Sequence, residues 1–62
     1  MTPAWRWRRP LALTGPAETS PEDARRAAVA QAHGRPVAPD AAGALWPQLA
    51  AQGWRIEEVR RG

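Results

Sequence analysis

The stretch A-W-R-W-R-R-P-L-A-L-T, residues 4–14, decides the fold. Its odd positions are large and apolar except for Arg9, and its even positions are polar or small, an alternation typical of a half-buried strand. Pro10 has no amide hydrogen to donate to a sheet. We therefore expect either an edge strand or two short strands divided at Pro10, with Trp5 and Trp7 on one face.

Strong helix signals follow this strand. Gly15-Pro16 ends the strand, and Ser20-Pro21-Glu22-Asp23 combines an N-cap hydroxyl, a proline at the first helical position and acids in the first turn. These residues predict a helix from Pro21 to about His33 that ends at Gly34, where a left-handed conformation costs glycine least. The only histidine then lies in the last turn, where an imidazolium interacts favourably with the helix dipole.

A second helix is predicted after residue 39. Asp40 is the expected N-cap, and Ala42, Leu45 and Leu49 share one face. Pro47 interrupts this pattern, so we expect the helix either to kink there or to start again. Gly53 is the expected end of the helix.

The segment W-R-I-E-E-V-R-R, residues 54–61, is predicted to be the last strand, with Trp54 and Ile56 on one face. Val59 falls on the opposite face. This indicates either a bulge near Glu57-Glu58 or a strand end that is buried on both sides.

Together these elements predict a single small α+β domain, residues 1–62, in the order strand, helix, helix, strand. The terminal strands are expected to pair antiparallel with each other or across a dimer. At 62 residues without cysteine, the chain lacks disulfides, and one histidine is too few for a structural metal site. Self-association or a partner is the remaining source of extra stability, so a homodimer is expected.

Basic charge is supplied by arginine alone: nine arginines and no lysine stand against six acids, for a net charge of +3. Abundant arginine, alanine and proline also fit a GC-rich bacterial or phage genome. No stretch approaches the roughly 20 apolar residues of a membrane helix. Leu11 to Leu13 is too short for a secretory signal, so a cytoplasmic protein is expected.

Arginines interleaved with tryptophans in residues 5–9 suit single-stranded nucleic acid, in which bases stack and phosphates pair with guanidinium groups. The same pattern suits an anionic membrane surface, or a strand whose tryptophans face the core and whose arginines face water. In the last case Glu57 and Glu58 would neutralise Arg6 and Arg8 as cross-strand pairs. The candidate residues for binding nucleic acid or a partner are Trp5, Arg6, Trp7, Arg8, Arg9, Arg25, Arg26, Arg60 and Arg61.

Catalytic chemistry is not expected from this set of residues. Ser20 is assigned to a helix cap, cysteine and lysine are absent, and Glu57 and Glu58 point to opposite faces of a strand. No metal or cofactor site is predicted. We expect a non-enzymatic nucleic-acid-binding module. The alternative is a protein-interaction module, such as an accessory subunit or a phage-type inhibitor, anchored by exposed tryptophan and arginine.

The C-terminal third, L-W-P-Q-L-A-A-Q-G-W-R-I at residues 45–56, resembles the helix, Gly-Trp and strand turn of small bacterial domains of unknown function. It also resembles the first helix and strand of HicA-type mRNA interferase toxins, which have a double-stranded-RNA-binding-like fold. In that family a Gly-Ser-His tripeptide follows and its histidine is catalytic, but no such tripeptide follows Trp54 here. The resemblance implies a topology and does not imply RNA cleavage.

Overall fold

The computed structural model describes residues 3–60. The elements in chain order are β1 (Pro3–Arg9), a 3-10 turn (Pro10–Ala12), β2 (Leu13–Thr14), α1 (Pro21–His33), α2 (Pro39–Ala51) and β3 (Arg55–Arg60). The three strands form an antiparallel sheet in the order β2-β1-β3. The predicted α+β arrangement is therefore confirmed, including the antiparallel pairing of the first and last strands.

Pro10 divides the first strand in two, which is one of the two arrangements expected from the sequence. β1 is the central strand of the sheet, so the other expectation, an edge strand, is wrong. The connecting turn is strained, because Leu11 and Ala12 both have positive φ, 71° and 62°, a conformation that costs roughly 1–2 kcal/mol for residues with a Cβ. Leu11 is also 92% exposed.

Helix α1 has the predicted boundaries. Ser20 is the N-cap, and its Oγ accepts a hydrogen bond of 3.1 Å from the amide of Asp23. Pro21 occupies the first helical position, and Gly34 ends the helix with φ 69°. Because these signals are local, they specify where the helix begins and ends.

Helix α2 begins earlier than predicted. Ala38 is the N-cap and makes no side-chain hydrogen bond, and Asp40 lies inside the first turn. The expectation that Asp40 caps the helix is therefore wrong. Pro39 explains the difference, since its fixed φ suits the first helical position and its missing amide hydrogen would have been unpaired there.

One helix continues through Pro47 without a new start. Pro47 has no amide hydrogen for the carbonyl of Gly43, and both residues are exposed, so water can bond that carbonyl. The helix ends at Ala51 with Gln52 as the C-cap, one residue before the predicted end at Gly53, which follows with φ 99°. The amides of Gly53 and Trp54 donate to the carbonyls of Ala50 and Leu49, each at 3.1 Å, which is the pattern of a Schellman motif.

The core lies between the sheet and the two helices. Trp7 and Trp54 meet at its centre, with ring centroids 5.2 Å apart at an interplanar angle of 44°. They pack against small side chains: the other buried members of this cluster are Ala28, Val29, Ala42 and Leu49. Val29 is the largest fully buried side chain, so α1 approaches the tryptophans closely but buries little area.

β3 pairs with β1 without interruption, from Pro3 opposite Arg60 to Arg8 opposite Arg55. The predicted bulge near Glu57-Glu58 is therefore wrong. Val59 lies opposite Ala4, and both are partly buried on the face away from the helices. The second expectation, a strand end buried on both sides, is also wrong, because Val59 is partly buried on one side but Glu58 and Arg60 on the other side are exposed.

Candidate nucleic-acid interface

The sheet has an inner face against the helices and an outer face away from them. Directly opposed residues of antiparallel strands share a face. Trp7 lies opposite Ile56 and both pack in the core, so the alternate pairs belong to the other side. We define the outer face as the side chains of Ala4, Arg6 and Arg8 from β1, Thr14 from β2, and Arg55, Glu57 and Val59 from β3.

An ion pair lies at the middle of the outer face. Arg6 is opposite Glu57, and its Nε and Nη2 atoms donate to Oε2 of that carboxylate at 3.1 and 2.9 Å. Both side chains are about one-third exposed, at 37% and 30%. Because water still reaches the pair, its contribution to stability is at most about 1 kcal/mol. Its main effect is to fix the direction of the Arg6 guanidinium.

Arg8 shares the same carboxylate at a longer distance, with Nη1 3.7 Å from Oε1 of Glu57. Its own opposite residue is Arg55 on β3, and Thr14 lies opposite it on β2. We call Thr14, Arg8 and Arg55 the basic row. It crosses all three strands at the end of the sheet opposite to Ala4 and Val59.

Arg55 makes no salt bridge with any carboxylate of residues 3–60. The outer face thus carries three arginines and one glutamate. The expected neutralisation by Glu57 and Glu58 is therefore incomplete. Glu57 forms ion pairs with both Arg6 and Arg8. Glu58 lies opposite Trp5 on the inner side and pairs with Arg60 at 3.4 Å.

The tryptophans do not extend this face. Trp7 is only 6% exposed, so the prediction that it contacts a ligand is wrong, and the alternative in which it faces the core is correct. Trp5 is half-buried on the inner side, and its backbone is held by two hydrogen bonds with Glu18. Side chains alternate between the two faces of a strand, so arginines on the outer face leave the tryptophans between them on the inner face.

Arg9 also lies on the inner side, where its guanidinium carbon is 5.9 Å from the centroid of the Trp54 ring. A cation at this distance is attracted by the π-electrons of the indole. This contact explains how a charged residue can interrupt the apolar positions of β1. It also removes Arg9 from the outer face.

The helical arginines belong to a different surface, because α1 packs on the inner side of the sheet. Arg25 lies 3.4 Å from Glu22 in the same helix, and Arg26 donates from Nε to the carbonyl of Val37 at 2.7 Å. Arg25 and Arg26, which were candidates for binding together with Arg6 and Arg8, therefore do not share a surface with them. Arg61 lies outside the described residues.

Arg55 was missed by the sequence analysis. The alternation of β3 places it on the same face as Glu57, but its proximity to Arg8 depends on the strand register, which the sequence did not specify. No group of three His, Asp or Glu side chains within residues 3–60 could hold a metal ion. Neither helix in that range is long and apolar enough to cross a membrane.

Comparisons of this chain with protein families, with curated proteins and with solved structures found no match. The resemblance of residues 45–56 to HicA-type toxins stays a prediction.

Proposed function

We propose that the outer face binds the phosphate backbone of nucleic acid, with Arg6, Arg8 and Arg55 as the donors. The observation that supports this is the basic row, in which two arginines are directly opposed on neighbouring strands. Guanidinium groups match the oxygens of a phosphate in charge and in hydrogen-bonding geometry.

Opposed arginines are unfavourable in the free protein, because like charges directly across an antiparallel pair repel each other. Their Cα atoms are about 4.5–5.5 Å apart, the usual separation of such pairs. One phosphate above Arg8 and Arg55 can therefore accept hydrogen bonds from both. The anion would remove the repulsion as well as add hydrogen bonds, and Thr14 supplies a hydroxyl beside it.

Base stacking contributes little to this proposal. Of the two tryptophans expected to stack on bases, Trp7 is buried in the core and Trp5 is half-buried on the inner side of the sheet. Phosphate contacts position a nucleic acid without reading its sequence. We therefore expect weak binding with little sequence preference. For three neutralised phosphates, the logarithm of the association constant should fall against the logarithm of salt concentration with a slope of about 2 for single strands and about 2.7 for duplexes.

Fluorescence anisotropy with labelled 20-nucleotide DNA and RNA, single- and double-stranded, at two salt concentrations tests the proposal. The variant Arg8→Ala/Arg55→Ala should lose at least tenfold in affinity at low salt. The control Arg25→Ala/Arg26→Ala removes the same charge from α1 and should lose much less. Equal losses in both variants would indicate non-specific attraction by net charge. No binding of any probe by the unaltered protein at low salt would exclude the function.

A protein-interaction module is the second candidate function, and the exposed turn between β1 and β2 favours it. Leu11 is 92% and Leu13 is 46% exposed, whereas the tryptophans expected as anchors are half or fully buried. A protein partner held by these leucines would bind with little dependence on salt, and its affinity would fall in Leu11→Ser and not in Arg8→Ala/Arg55→Ala. Strong dependence on salt, with affinity lost in Arg8→Ala/Arg55→Ala and kept in Leu11→Ser, would instead support phosphate binding by the basic row.

A further inference from the structure

Strand β3 presents an open edge of the sheet. It runs unbroken from Arg55 to Arg60, contains no proline, and has β1 on one side. No strand within residues 3–60 pairs with its other side. At the opposite side of the sheet β2 has only two residues, and beyond them Gly15 and Glu18 bond β1 directly. A long, regular edge is a template for another strand.

The hydrogen bonds of β1 show which backbone groups of β3 face this edge. Trp5 bonds Glu18 and Trp7 bonds Gly15, both on the β2 side. Successive residues of an antiparallel strand direct their backbone groups to alternate sides, so Arg6 and Arg8 bond β3. Their opposite residues, Glu57 and Arg55, therefore turn toward β1. The backbone N–H and C=O groups of Ile56 and Glu58 point outward.

We propose that this edge pairs with the β3 edge of a second copy of the chain, antiparallel and centred on Ile56. The two sheets of three strands would then form one continuous sheet, with Ile56 opposite Ile56 of the second copy. Arg55 would lie opposite Glu57 of the second copy, twice by symmetry. This pairing goes beyond the proposed function and does not depend on it.

Charge complementarity selects the register. A two-fold axis perpendicular to the sheet keeps both outer faces on one side, so residues pair only with residues of the same face. Centring the pair on Glu57 or on Glu58 would oppose identical carboxylates, and centring it on Arg55 would oppose identical guanidinium groups. Like charges directly opposite each other are destabilising. The Ile56 register instead gives Arg55, which has no salt bridge in residues 3–60, a carboxylate from the second copy.

A centre at Val59 is the remaining register that opposes unlike charges, since it places Glu58 against Arg60. Those two residues already form an ion pair within one chain, at 3.4 Å. Within the described strand each register overlaps three residues, 58–60 for Val59 and 55–57 for Ile56, so the charges and not the length of overlap distinguish them. The Ile56 register further covers the half-buried side chain of Ile56, which packs against the core.

Sedimentation equilibrium of the protein alone, without nucleic acid, tests the pairing. The unaltered chain should form a dimer, and Glu58→Pro should be at least tenfold weaker in self-association because it removes an outward amide while sparing the bonds to β1. The control Glu58→Ala keeps that amide and should remain dimeric. Arg55→Glu, which opposes two carboxylates, should weaken the dimer to a similar extent. This exposed substitution keeps the test valid if Glu58→Pro fails to fold.

Disulfide trapping identifies the register, since the chain has no cysteine of its own. Ile56→Cys should form a disulfide dimer under mild oxidation faster than Val59→Cys, because opposed Cα atoms are about 5.5 Å apart, within disulfide range. The reverse order would overturn the Ile56 register. A chain that stays monomeric near millimolar concentration, or a dimer unaffected by Glu58→Pro and Arg55→Glu, would overturn the edge pairing. Either result leaves the oligonucleotide binding of Arg8 separately measurable.

Discussion

The inner and outer faces of the sheet are formed by the same three strands, but adjacent residues of a strand lie on opposite faces and differ in burial. Trp7 is almost fully buried against Trp54, whereas the next residue, Arg8, has a side chain that is 53% exposed and lies opposite another arginine. Burial of a large aromatic side chain stabilises the fold by several kcal/mol, and exposed charges contribute little. The two faces can therefore be altered separately, one to test stability and the other to test binding.

The largest effect is expected from Trp7→Ala, which empties the centre of the inner face. Loss of a buried tryptophan costs about 3–5 kcal/mol, comparable to the whole stability of a domain this small. We expect the variant to be largely unfolded without denaturant, as measured by near-UV circular dichroism and urea titration. Trp46→Ala, at a half-buried position, is the control. Equal destabilisation by the two substitutions would contradict the central role of Trp7.

Gly15→Ala should have the next largest effect. A Cβ at Gly15 would overlap the indole of Trp7, and forcing extra volume against a packed side chain typically costs about 1–3 kcal/mol. Gly43→Ala is the matched control, because nothing lies within 4 Å of its Cβ position. In helix α2 that alanine should stabilise the protein by up to about 1 kcal/mol. Urea unfolding should therefore show a lower free energy of unfolding for Gly15→Ala and a higher one for Gly43→Ala. A Gly15→Ala variant as stable as the unaltered protein would mean that the indole of Trp7 does not lie against Gly15.

On the outer face, Arg8→Ala/Arg55→Ala should separate binding from stability. Removing two opposed charges relieves repulsion, so the free energy of unfolding should change by less than about 0.5 kcal/mol. The affinity for oligonucleotides should nevertheless fall at least tenfold, which corresponds to about 1.4 kcal/mol. A loss of stability as large as that of Gly15→Ala would mean that the arginine side chains pack as part of the fold.

Glu57→Gln should have the smallest effect on binding. It removes the single carboxylate of the outer face and its pair with Arg6, at a cost of at most about 1 kcal/mol. Affinity for oligonucleotides should rise a few-fold at low salt and remain unchanged at high salt, because the gain is electrostatic. Glu22→Gln, which removes the partner of Arg25 on α1, is the control. A similar rise in that control would argue against a localised interface.

Local signals allowed α1 and the division of the first strand to be predicted. The limits of α1 follow from Ser20, Pro21 and Gly34, and the break in the first strand follows from Pro10; each acts through its own backbone geometry or nearest hydrogen bonds. The start of α2 was missed because Pro39 and Asp40 are both acceptable near a helix N-terminus. Their order in the chain decides which becomes the first helical position.

The candidate site was predicted only in part, because it depends on the register between strands distant in sequence. Alternation placed Arg6 and Arg8 on one face, but it did not specify whether Glu57 or Glu58 would be their partner. A shift of one residue exchanges these carboxylates between faces. The same uncertainty concealed Arg55, whose position beside Arg8 follows from pairing and not from any local pattern.

The pairing of Arg6 with Glu57 joins positions 51 residues apart, and this separation affects the order of folding. Closing so long a loop costs entropy before any contact in the ladder forms, and non-local contacts of this kind slow folding. Helix α1, with its own cap, needs no distant partner to begin. We expect the β1–β3 ladder to form late, so the arginines of the outer face come together only when folding is nearly complete. An incompletely folded chain would carry the same charge without the interface.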